Sequence, residues 1–275
     1  MIAANPATGL KRPPAPPRPW SKTRILGHFL MAMWIVSGCS LLYYLALNIA
    51  SPFVLKYWPE YLSGFFVTLQ IVGLSLLIGA LLSVPIAAAR ASNWWFLSKP
   101  AYGYVYFFRG TPLLAQTFLV YYGAGTFQPQ LQAIGLWDFF REAWFCVIFA
   151  FSLNTSAYQA EILRGAIQNV SKGQWEGAAA LGLTKPVTFL KVILPQALIV
   201  ALRPYGNEII LMLKGSAIAA IVTVFDLFGE TRRAYSRSYD FQAYIWAAVI
   251  YLFLVEMLRR IWDKIELRLT RHLKR

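Results

Sequence analysis

The sequence predicts an all-α, polytopic membrane protein with about six transmembrane helices, and three observations carry that prediction. Hydrophobic residues make up 58% of the 275 and charged residues only 14%, against about a quarter charged in a soluble domain. The charge-free run from Tyr61 to Ala89 is longer than the roughly 20 apolar residues that cross a hydrocarbon core of about 30 Å. Further apolar windows, with polar interruptions, run over Phe29–Ile49, Tyr102–Gly123, Ala143–Leu163, Ala197–Val222 and Ala243–Trp262, and each is long enough to cross.

In chain order, residues 1–28 read as a basic, extended tail, with Pro13-Pro14 and Pro16-Pro17 opposing regular structure. The window at Phe29 is too long for a signal-peptide core and no Ala-x-Ala site follows it, so it stays as a helix. Residues 29–262 form the membrane domain, interrupted by a polar loop at about 166–195, and residues 263–275 form a second basic tail. Lys11, Arg12, Arg18, Lys22 and Arg24 precede the first helix without an acid, and seven bases from Arg259 to Arg275 face only Asp263 and Glu266. Both ends are therefore expected in the cytoplasm. The loops agree: Arg90 and Lys99 fall inside, Asp138, Arg141 and Glu142 outside, and Arg164, Lys172, Lys185 and Lys191 inside.

Several function classes drop out. The net charge of +14 is spread over short juxtamembrane segments, where it sets topology and meets anionic lipid, so nucleic acid is not the expected partner. No Gly-x-x-x-x-Gly-Lys-Ser/Thr run occurs, so any ATP use needs another subunit. His28 and His272 lie at opposite ends, no metal-ligand spacing occurs, and Gly73-Leu74-Ser75-Leu76-Leu77 lacks the closing glycine of a nucleophile elbow. An enzyme is not expected. Cys39 and Cys146 read as small buried apolar residues.

The polar loop has its own logic. Gly173 is expected to end one helix and Gln174-Trp175-Glu176 to open the next, with Glu176 favoured near a helix N-terminus. Ala178-Ala179-Ala180 permits close approach of another surface, and Gly182 supplies a turn free of a β-carbon. Thr184 and Pro186 then start a second short helix, and Leu194-Pro195 marks entry to the fifth span.

Within the spans, polar residues are the handles on a solute. Gly110 and Pro112 are expected to break the third helix, placing Arg109 and Thr111 either on a path or at a kink with Arg109 snorkelling. Asn154, Thr155 and Ser156 suit a path or, more readily, interhelical hydrogen bonding. Glu161 suits a path or a pair with Arg164. Glu208 falls mid-span beside Asn207, and Lys214, six residues on, sits about 240° around the helix and cannot share its face. An acid there suits a cationic ligand or a pair with Arg109 or Arg203.

These residues also carry a family likeness. Glu176, Ala178, Ala179, Gly182, Leu194 and Pro195 resemble the ATPase-coupling loop of the membrane subunits of bacterial ABC importers, with Gly177 and Val192 in place of the usual alanine and isoleucine. Phe108–Leu114, Leu153–Gly165 and Asn207–Lys214 resemble polar amino acid uptake permeases, above all the M-type permease of histidine, lysine, arginine and octopine importers. The likeness covers Leu62–Trp262. It implies a five-helix importer core plus one added N-terminal helix, in the bacterial inner membrane. It also implies ATP and magnesium on a partner ABC ATPase, a periplasmic solute-binding protein, and a sister permease or second copy of this chain. Arg109, Thr111, Asn154, Glu161, Asn207, Glu208 and Lys214 would line the solute path. Lys214-Gly215-Ser216-Ala217 departs from the threonine-serine pair common in such permeases. The alternative is a small ATP-independent transporter or channel, but the halves show none of the internal repeat such proteins usually carry.

Overall fold

The structure, a computed structural model, describes residues 21–271. The first twenty residues, most of the expected tail, lie outside them, as does His272. The described chain divides after Leu55 into two compact units.

The first unit holds α1 (Lys22–Asn48). Ser21 caps it by accepting from the Arg24 N–H at 3.3 Å, so the helix starts seven residues before the apolar window and takes in the end of the expected tail. None of its residues is buried. Cys39 is accordingly exposed, not buried as expected: the helix is apolar on every side, and no face is set apart for packing.

α2 (Pro52–Ala91) carries the longest apolar run and continues past Pro59 and Pro85. Its buried stripe, Tyr57, Tyr61, Gly64, Thr68, Ile71, Ser75, Gly79, Ser83 and Ala87, with Val72 beside it, recurs every three to four residues and is mostly small. Small residues at this period let helix backbones approach where lipid offers no hydrophobic drive. A β-carbon at Gly64 would lie 2.8 Å from the Asp226 carbonyl oxygen.

The third window is two helices, α3 (Trp95–Gly110) and α4 (Leu113–Thr126), parted at extended Thr111 and Pro112. Two short helices follow, α5 (Gln128–Ala133) and α6 (Trp137–Phe140), before α7 (Ala143–Gln168). α8 (Lys172–Ala180) and α9 (Lys185–Thr188) form the polar hairpin. α9 runs through a π-turn, Phe189–Ile193, straight into α10 (Leu194–Gly215), which tightens into a 3₁₀ segment over Ser216–Val222. α11 (Leu227–Ser238) and α12 (Gln242–Leu269) complete the chain. The helices over Lys22–Asn48, Pro52–Ala91 and Lys185–Val222 are long and apolar enough to cross a membrane; α3–α4, α7 and α12 occupy the other three windows, with α3 and α4 only 16 and 14 residues long.

α7 is the centre of the second unit. It packs against α3, α4 and α10, while α12 packs against α10 and α11. Cys146, Val147, Ala150, Phe151, Thr155, Ser156, Ala157 and Ala160 on α7 are wholly buried, and Cys146 fits its expected role as a small core residue.

Candidate functional site

The break between α3 and α4 frees backbone carbonyls inside the bundle, and polar side chains from neighbouring helices satisfy them. Gln116 Nε2 donates to Phe108 O at 2.9 Å and to Thr111 Oγ1 at 2.7 Å. Asn154 Nδ2 donates to Phe108 O and to Gln116 Oε1, both at 2.9 Å. Thr111 Oγ1 turns back to Phe107 O at 2.8 Å. A proline-broken helix in lipid needs such partners. Asn154 is therefore an interhelical tie, and so is Ser156, 2.6 Å from the Tyr104 hydroxyl. Gln116 was missed from the sequence, although a glutamine four residues past Pro112 in an apolar helix was a signal for it.

One residue further along α7, the chemistry changes. Thr155 Oγ1 donates to Glu208 Oε1 at 2.8 Å; the threonine is wholly buried and Glu208 is 5% exposed. Gln159 Nε2 donates to Thr155 Oγ1 at 3.1 Å, and the Tyr205 hydroxyl donates to Gln159 Oε1 at 2.8 Å. Glu208 thus ends a chain of hydrogen bonds joining α7 and α10. Arg203, one of its two candidate partners, instead pairs with Glu266 at 2.7 Å. Arg109, the other, lies 4.0 Å from Glu161 and makes no ion pair with Glu208. A mid-span carboxylate that keeps one neutral donor and no close counter-charge retains capacity for a cation.

α2 reaches this place because Gly79 lacks a side chain. A β-carbon there would collide with Thr155 Cγ2 and lie 3.0 Å from Gln159 Nε2.

The remaining expected path residues scatter. Glu161 is clamped by Arg90 at 3.1 Å and Arg164 at 2.7 Å, joining the end of α2 to α7, so the pair with Arg164 is formed and extended by Arg90, which sequence reasoning missed. Arg109 lies over the Tyr158 ring, 4.0 Å from Glu161 and 44% exposed. Asn207 is exposed beside Glu208. Lys214 lines a groove with Ala247 and Tyr251 of α12. Asp226, also missed, is wholly buried and caps α11 by accepting from the Gly229 N–H at 2.8 Å.

The hairpin is built from the residues the sequence singled out, with two differences. α8 ends in a Schellman motif: the Gly182 N–H donates to Ala179 O at 3.0 Å and the Leu183 N–H to Ala178 O at 3.1 Å, with Gly182 at φ 71°. Ala178 is buried and Ala179 and Glu176 are exposed. Gly173, however, lies inside α8, and Glu176 falls in the middle of that helix and not in its first turn, because α7 already closes at Asn169 and extended Ser171 turns the chain so that α8 starts at Lys172. Pro195 does not open a new helix either. The π-turn places the Leu194 N–H on Phe189 O, five residues back, and carries the helix past the missing proline donor. The hairpin base is anchored by a buried cluster of Ala166, Val170, Ile193, Ala197 and Ala201. Its tip is open: Leu181 is 80% exposed.

A helical bundle around a buried carboxylate, with an exposed polar hairpin at one end, has the build of a membrane transport subunit. Residues 79–271 match the family described as binding-protein-dependent transport system inner membrane component. The chain is 41% identical over 222 residues to the nopaline transport system permease protein NocM of Agrobacterium fabrum, covering 80% of this chain and 92% of that one. It is 37% identical over 214 residues to the arginine ABC transporter permease protein ArtM of Haemophilus influenzae, covering 76% and 93%. Among solved structures it matches one titled as an amino acid ABC transporter with histidines, at 35% identity and TM-score 0.70, covering 78% of this chain and 96% of that one. The MetNI methionine ABC transporter shares the fold at TM-score 0.60 and 18% identity. The chain belongs to the binding-protein-dependent transport system inner membrane component family. Its role is transport, not catalysis.

Proposed function

We propose that this chain is the permease subunit of an ATP-driven importer of basic or opine-like amino acids in the bacterial inner membrane. It spans the membrane six times, with both termini in the cytoplasm. It pairs with a sister permease or a second copy of itself, receives solute from a periplasmic binding protein, and docks its hairpin on cytoplasmic ABC ATPases that hold ATP and magnesium. The observation that carries the solute class is Glu208, buried at mid-span with one neutral hydrogen-bond donor and no ion pair. The relatives named for nopaline and arginine support it, since both compounds carry a guanidinium group. The open hairpin tip, with Leu181, Leu183 and Trp175 exposed, supports the ATPase contact, because apolar residues on a polar loop suit a protein partner. Glu161 is left out of the solute path: its arginine clamp gives it a structural role.

The test is reconstitution with an ABC ATPase and a solute-binding protein from the same organism, measuring uptake of arginine, an opine and a neutral amino acid with and without ATP. ATP-dependent uptake favouring the cationic solutes is the expected result. Equal uptake without ATP would return the protein to the channel or secondary-transporter reading.

A further inference from the structure

At the end of the bundle opposite the hairpin, a cavity of about 530 Å³ opens beside the turn from the 3₁₀ segment into α11. Two guanidinium groups, Arg232 and Arg233, line it together with the rings of Phe225, Tyr235 and Tyr244. Their situations differ. Arg233 is shared with Glu230 at 3.4 Å and lies 5.2 Å from the Phe225 ring centre. Arg232 donates one N–H to Ala220 O at 3.2 Å, which orients the group and leaves most of its five donors. Among the described residues no carboxylate lies within 4 Å of Arg232. The cavity edge also holds Thr223 at φ 67°. A β-branched residue is rarely kept in the left-handed region, and such strain clusters at ligand sites.

We propose that this cavity binds the carboxylate group of the transported amino acid, at a site separate from Glu208. The inference rests on the function proposed above. Arg232 supplies the planar fork that fits a carboxylate, and the three rings give the rest of the solute an apolar wall. Gly64 meets Asp226, at the turn into α11, and Gly79 meets Thr155, the donor to Glu208. Those two glycines are 15 residues apart on α2, about 22 Å along the helix. The two sites have opposite charge, so a cationic amino acid is held first by its carboxylate and then drawn inward by its positive group.

The test uses the whole importer in lipid nanodiscs without binding protein, and compares equilibrium binding of L-arginine with that of L-argininamide, which keeps the cation and lacks the carboxylate. Arg232→Gln is expected to raise the Kd for arginine about tenfold, the scale of a lost charge-assisted hydrogen bond, and to leave argininamide within about twofold. Unchanged arginine binding, or equal weakening of both compounds, overturns the proposal. Should Arg232→Gln fail to assemble, Arg232→Lys keeps the charge without the fork and is expected to weaken arginine alone; wild-type arginine binding there also overturns it. ATP-dependent arginine uptake by the wild type is measured alongside. Its absence would refute the proposed function, and this site with it, whereas normal uptake with unselective variants would refute the carboxylate site only.

Discussion

Thr155 Oγ1 donates to Glu208 Oε1 at 2.8 Å, and this bond joins α7 to α10 where both side chains are closed to water. Thr155→Val keeps the shape and removes the donor. A buried acceptor left without its partner costs about 1–3 kcal/mol, so the purified complex should melt a few degrees lower. Thr155→Ser should restore most of the loss. Equal melting temperatures for wild type and Thr155→Val would mean that the bond contributes nothing.

Glu208→Gln keeps an acceptor for Thr155 and removes the charge. Uptake of arginine-like solutes should fall about tenfold or more, the scale of one charge-assisted interaction, and neutral solutes much less. Solute-specific uptake rates check it. Equal loss across solutes with assembly intact would make Glu208 a gate without selectivity.

Gly79→Ala places a methyl group against Thr155 and Gln159. Overpacking of this kind costs about 1–3 kcal/mol, and here it should also displace the donor to Glu208. Gly73, whose added β-carbon would meet nothing within 4 Å, is the control. Similar melting and uptake for the two alanine variants would contradict the close contact.

Gly182→Val forces a β-branched residue to φ 71° in the Schellman turn. Together with Glu176→Lys it should abolish ATP-driven uptake while membrane insertion survives. ATPase pull-down and uptake are read side by side; normal uptake in both variants would remove the hairpin from the coupling mechanism.

Topology is checked by reporter fusions. A fusion after Ser51 should be active outside and one after Arg90 inside, as the positive-inside bias requires. An N-terminal tag reached from the periplasm would rule out the six-span arrangement.

Local chemistry was legible in the sequence, and pairings across the bundle were not. Gly110 and Pro112 announced the helix break because they join a backbone without a β-carbon to a missing donor, whereas Pro59 and Pro85 alone leave α2 continuous. Gly182 announced its turn because few residues accept positive φ. The start of α1 was misplaced because hydropathy ignores a cap such as Ser21. α11 was not anticipated, since a short polar helix has no apolar window to mark it. Partner choice was least accessible: nothing local tells Arg203 to take Glu266, or Thr155 to take Glu208, because those pairs exist only once α7, α10 and α12 are packed.

The unbroken helix from Lys185 to Gly215 has a mechanical consequence. Glu208 stands 23 residues along it from the hairpin, about 35 Å, so a tilt of about 5° at the hairpin end shifts the carboxylate by about 3 Å. That stroke is longer than the 2.8 Å bond to Thr155, which rides on a different helix. If the hairpin is the ATPase contact proposed above, a push at one end of this rod would draw the carboxylate away from its hydroxyl partner at the other and change its hold on a cation in the same movement.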